Sequence, residues 1–223
     1  MSSEERGNTA KPGINVKSRI RAMTTAAMLS AMSSVLMMFD FPVPFFPSFL
    51  KLDFSDVPAF IGAIYLGPVY GAVIAFVKIL VHLTRTDTGG VGEIANFVVA
   101  VALVVPAAYS FRASAAKRAK RGQSKNSGEL IVSMIAGVIF MAMAGSAVNY
   151  LVMLPWYIVV MGFPEGAIVK MCQTAMPFVK SIKDVAIFVI VPFNILKGTI
   201  ECVLTYLIYN ALGARIKNPE NGG

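Results

Sequence analysis

Three polar residues share one of the most apolar stretches of the chain: Asn194, Lys197 and Glu201, within Val185–Leu212. On a helix they fall inside an arc of about 60° and form a single polar stripe. An amide offers both donor and acceptor, and a lysine offers up to three donors. Facing a cavity, Asn194 and Lys197 suit a heteroaromatic ligand edge built of carbonyls and ring nitrogens. The plainer alternative is that Lys197 and Glu201, four residues apart, pair with each other. That pair runs base before acid, the less favourable order on a helix, and leaves Asn194 unused. Pro192 precedes the stripe, where it frees a backbone carbonyl and favours a kink.

Other polar groups are candidates for the same work. Asn149 has Gly145 and Ser146 on about the same helical face, where small residues allow close approach. Its alternative role is an interhelical hydrogen bond. In Gly89-Gly-Val-Gly-Glu-Ile-Ala-Asn96, Glu93 and Asn96 lie three apart on one face, and the glycines permit a tight turn into a helix. Gly90–Ala95 formally matches a dinucleotide fingerprint, but no βαβ unit surrounds it and the match carries nothing. Lys78 and His82, four apart, share a face. Lys78 could snorkel or pair across helices, and His82 reads as solvated.

These groups need elements to hold them, and composition says what kind. The chain has 223 residues, 56% hydrophobic and 14% charged, with a formal net charge of +8. Its mean hydropathy is +0.68. A soluble domain carries about 25% charged residues, so the natural solvent here is a bilayer. Spans of about 20 apolar residues are required. Ile20–Phe39, Ile94–Phe111, Leu130–Leu154 and Val185–Leu212 fit, with Trp156–Met161 set apart by Pro155. Val57–Leu83 is long for one span and short for two, and Gly67-Pro68 interrupts its middle.

Charge asymmetry resolves that region. Basic residues cluster in the N-terminal tail, in the loop Arg112–Lys125, and after the last span at Arg215 and Lys217. The positive-inside rule places all three in the cytoplasm. An even number of spans must then separate the tail from the basic loop, so Val57–Leu83 is two short helices turning at Gly67-Pro68. The expected fold is an all-α integral membrane bundle of six helices with both termini cytoplasmic. Residues 20–212 form the bundle; 1–19 and 213–223 are polar tails. The basic loop is read as a topology signal, with no nucleic-acid role. External loops then comprise 40–56, 85–92 and roughly 155–184. The first is dense in Phe and Pro, and reads equally as an interfacial aromatic belt or as a structured lid over an external pocket.

Catalytic and metal signatures are missing. Two cysteines, Cys172 and Cys202, make no disulfide framework, and one histidine supplies no zinc set. There is no ATP-binding loop, zinc-protease helix or serine elbow, and no inverted repeat. The polar N-terminus does not read as a cleaved signal peptide. An external pocket without an energy source points to a binding subunit dependent on partners. The rival classes are a small membrane enzyme using Glu201 or Glu93 as acid or base, and a scaffold that binds no small molecule.

Three segments carry a family resemblance: Phe49-Leu-Lys-Leu-Asp-Phe-Ser-Asp-Val-Pro-Ala59 followed by Leu66-Gly-Pro68, Thr88–Phe97, and Pro192-Phe-Asn-Ile-Leu-Lys-Gly198. In them the chain resembles the riboflavin-specific substrate-binding S component of energy-coupling factor transporters. The resemblance implies capture of riboflavin or related flavins from outside, with no cofactor and no enzymatic step. It implies that Asn149, Asn194 and Lys197 hold the ring. Leu52, Asp53 and Phe54 of the first loop, with Gly89, Glu93 and Asn96, complete the expected site. It further implies that Ala22, Ala26, Ala27 and Ala31 dock on a membrane T component served by two ATPases, in the cell membrane. An S component for another vitamin or heterocycle is the nearest rival.

Overall fold

The computed structural model describes residues 16–86, 88–122, 127–174 and 176–217. Most of the expected N-terminal tail, Asp87, Lys125 and residues 218–223 lie outside them. Helix α1 runs Val16–Met37. A short antiparallel pair follows, β1 (Phe41–Pro42) with β2 (Lys51–Leu52), Phe41 opposite Leu52. Then come α2 (Asp56–Tyr65), α3 (Pro68–His82), α4 (Val91–Lys120) and α5 (Ser127–Val148). Beyond α5 a π-helical turn, Asn149–Met153, leads into α6 (Leu154–Val159). Helix α7 (Glu165–Gln173) crosses the outer face. The chain re-enters through α8 (Ile182–Asp184), a second π-helical segment (Val185–Ile190) and α9 (Val191–Lys217).

Among the described residues, five helical stretches are long and apolar enough to cross a membrane, and α2 is a shorter apolar sixth. The division of 57–83 into two helices is as expected. Gly67 makes the turn with φ +127°, a conformation open to glycine, and Pro68 starts α3 where its missing N–H costs nothing. The first of the two is the shorter. At ten residues α2 is only about 15 Å long, because its first residue, Asp56, starts inside the bundle with no exposed surface.

Prolines also behave differently from expectation. Helix continues through Pro155 to Val159, so Trp156–Met161 is mostly the end of the fifth span rather than a separate stretch. A proline cannot donate to the helix ladder. Both π-helical segments lie just ahead of a proline, Pro155 and Pro192, where a widened turn absorbs the missing bond.

Core and lipid-facing surfaces are both apolar. Phe60, Ile74, Leu103 and Val104 are fully enclosed. Met23, Met28, Phe76, Val132, Phe140 and Leu207 point outward. An exposed apolar girdle on every long helix is the surface of a protein solvated by lipid. Arg112 Nη1 donates to the carbonyl of Ile64 (3.2 Å), so the end of α2 meets the basic end of α4. Arg118 pairs with Glu129 at the same end.

The small residues of α1 divide between two faces. Ala26 and Ser30 are buried, on the side that meets α2 and α3, and Ala22 is half-buried; Ala27 and Ala31 are exposed. The expectation that all four alanines dock a partner is therefore corrected for Ala26, which the bundle itself covers.

Candidate functional site

A cavity of about 380 Å³ opens at the outer end of the bundle. Its walls come from the loop after α1, the start of α4, the π-helical turn after α5, and α9. Six of the expected residues line it: Asp53, Glu93, Asn96, Asn149, Asn194 and Lys197. Three do not. Leu52 is buried beneath the loop, Phe54 packs with its ring tilted against Phe41 at 6.1 Å between centres, and Gly89 makes the left-handed turn before α4.

The first loop packs over this cavity as a structured cover. Phe46 meets Phe193 edge-on at 5.4 Å between ring centres, and Phe49 meets Tyr157 at 6.1 Å. Both partners sit on cavity-lining helices. Of the two readings of this Phe- and Pro-rich segment, the lid matches its packing on the protein.

Two asparagines in the cavity wall each bond a carbonyl one turn back in their own helix. Asn194 Nδ2 donates to the carbonyl of Ile190 (2.9 Å), one turn back in the π-helical segment. Asn149 Nδ2 does the same to Gly145 (2.8 Å). Each keeps its oxygen and a second N–H for other partners. Asn96 Oδ1 is buried without any partner.

At the mouth, Glu93 gathers three donors. His82 Nδ1 lies 3.1 Å away, Thr86 Oγ1 2.8 Å and Thr88 Oγ1 3.1 Å. Thr86 and Thr88 in turn accept from Gly90 N and Gly92 N, both at 3.0 Å. The cluster shapes the turn into α4. The expectation that His82 is solvated is corrected, since it is tied to Glu93 and lines the cavity.

Lys197 has the least expected partner. Its Nζ lies 2.9 Å from Asp53 Oδ2, joining α9 to the loop. Glu201 Oε1 stands farther off, at 3.9 Å, so the alternative pairing within the helix is secondary to one across the fold. Asp53 Oδ1 accepts from Ser55 N (2.8 Å) and from the Ser55 hydroxyl. Lys78 donates to Ser55 Oγ (2.6 Å) and pairs with Asp56. Ser33 of α1 donates to the Ser55 carbonyl. Burial alone would push the Asp53 carboxyl up. The ammonium groups of Lys197 and Lys78 and the Ser55 hydroxyl instead hold it well below the usual carboxylate range.

This network was not legible as a network. Asp56, Lys78 and Glu201 each announce themselves as charges in apolar sequence, the ordinary sign of an interior role. Nothing in their spacing says that they meet.

An all-α bundle with an aromatic-covered cavity at one end is the build of a solute-capturing membrane subunit. The match to the family model for the ECF transporter substrate-specific component spans residues 21–209, and the chain belongs to that family. It resembles the riboflavin transporter RibU of Staphylococcus aureus (strain TCH60), 33% identical over 88% of this chain and 93% of that protein. It also resembles the riboflavin transporter FmnP of Bacillus subtilis (strain 168), 30% identical over 86% and 91% respectively. A solved structure described as the S component of a bacterial ECF transporter superposes with a TM-score of 0.67 at 29% identity, over 90% of this chain and 99% of that one. This chain is thus a multi-pass plasma-membrane transport component and not an enzyme.

Proposed function

We propose that this chain captures riboflavin outside the cell and hands it inward with an ECF T component and two ATPases. The observation that carries the reading is the cavity's chemistry. Apolar and aromatic walls, including Phe49, Tyr157 and Phe193, surround three asparagine amides and the Lys197 ammonium, with Lys51 and acidic side chains also in the lining. An isoalloxazine ring is apolar on its faces and polar along one edge, and such a site matches both. The relatives named as riboflavin transporters support the choice of ligand.

In this reading Asn194 and Lys197 hold the ring's polar edge, with Asn149 and Asn96 beside them. Asp53 acts through Lys197 rather than on the ligand, since both its oxygens are occupied within the protein. Leu52 and Phe54 support the cover, and Gly89 sets the turn that delivers Glu93. Ala27 and Ala31, exposed on α1, form the docking stripe for the T component, with Ala22 at its edge.

The test is a fluorescence titration of the purified protein with riboflavin. Quenching that saturates at one ligand per chain is the expected result. Protein that leaves riboflavin fluorescence unchanged, yet binds another heterocycle, would replace the ligand while keeping the class.

A further inference from the structure

One turn below the cavity lysine lies a buried carboxyl group with no hydrogen-bond partner. Glu201 has no exposed surface, and neither of its oxygens has a hydrogen bond. A buried carboxylate left this way is costly, so its retention calls for an arrangement in which it is used. Its nearest cation is Lys197, 3.9 Å away and engaged with Asp53 at 2.9 Å.

The two acids beside Lys197 differ in what carries them. Glu201 is on the same helix, four residues on, and moves with the lysine. Asp53 is on the loop that covers the cavity. Asp56 Oδ2, at 3.8 Å, is as near and also has no hydrogen bond, but the charge of that carboxylate is already matched by Lys78 of α3 through its other oxygen. If the loop lifts, Lys197 loses its one hydrogen-bonded carboxylate in a region of low dielectric, where Asp56 already neutralises Lys78, and a stranded ammonium there is prohibitive.

We propose that Glu201 is a second seat for the Lys197 ammonium and a positioning residue for ligand exchange. When the Asp53 loop rises to admit or release ligand, Lys197 swings by about 1 Å onto Glu201 and stays paired. When the loop closes, it returns to Asp53 and offers its remaining donors to the cavity. The proposal rests on the reading that this loop covers a ligand site.

Stopped-flow riboflavin fluorescence on the full chain, wild type against Glu201→Gln, tests it. The lifted state loses the direct pair in the variant, whereas the closed state loses only a contact at 3.9 Å and keeps the hydrogen bond to Asp53. Association and dissociation should therefore both slow on the order of tenfold, with Kd nearly unchanged. Unchanged rates would make Glu201 a bystander, and faster dissociation would make it an anchor of the closed state; either overturns the proposal. Thermal melts decide the matter independently of any ligand. Asp53→Asn should fold with a modest loss, since Glu201 takes the lysine, and adding Glu201→Gln should cost more than the two single losses combined. Additive losses overturn it. So does failure of Glu201→Gln to fold, whether or not Asp53→Asn folds, because Asp53 alone would then not seat the lysine. Absence of any flavin signal in the wild type would sink the functional reading instead, leaving the melts to judge Glu201.

Discussion

The side-chain amide of Asn194 occupies the space that a β-carbon on residue 145 would need: Asn194 Nδ2 lies 2.7 Å from that position. Gly145 on α5 and Asn194 on α9 are thus a matched pair, and the missing side chain of one seats the other. Gly145→Ala should displace the amide and weaken riboflavin binding on the order of tenfold. Fluorescence titration reads the effect. An unchanged affinity would show that the Asn194 amide does not hold ligand.

Asn194→Ala and Lys197→Ala should each weaken flavin binding by about tenfold to a hundredfold, because each leaves a desolvated ligand group without its partner. The same titration applies. If affinity is unchanged in both variants, the ligand sits elsewhere.

Lys78 should matter to folding and not to ligand contact, since it is fully buried and does not line the cavity. Lys78→Met leaves Asp56 buried without its cation and should cost about 3–5 kcal/mol. Combining it with Asp56→Asn should recover much of the loss. Denaturant unfolding of the detergent-solubilised protein measures both. A double variant no better than the single one would mean that the lysine stem, and not the pair, supplies the stability.

Acid should act on the loop anchor late. The Asp53 carboxyl is held below its ordinary value in the folded protein, so its ionised form stabilises the fold. That contribution is complete above the unfolded value near 4 and is lost as pH falls through the lower folded value. The melting-temperature gap between wild type and Asp53→Asn should stay constant from neutral pH to about 5, then close below about 4. A gap that closes near pH 6 would show that the pair with Lys197 does not hold Asp53 in its ionised form.

Ala27→Trp or Ala31→Trp should spare flavin binding and block co-purification with a T component. Both positions are exposed on α1, away from the cavity. Retained co-purification would place the docking surface on another face.

Some of this was legible residue by residue. Lys197 and Asn194 stand out because charge and amide are rare in apolar helix. Gly67-Pro68 marks a turn by backbone chemistry alone. His82 and Ala26 were not legible, because helical spacing says which residues share a face but not what that face meets. The burial of Ala26 depends on how α1 lies against α2 and α3, and the Glu93 partner of His82 comes from the next helix.

The amino-acid sequence by itself determined the solvent, the number of apolar membrane helices and the orientation expected of them. Those follow from apolar run length and the placement of Lys and Arg, both properties of the linear chain. Only the tertiary structure decided the partners. Asp53 and Lys197 are 144 residues apart and meet because the loop end descends into the bundle beside α9. A buried ammonium must find a carboxylate, but helix packing chooses which one.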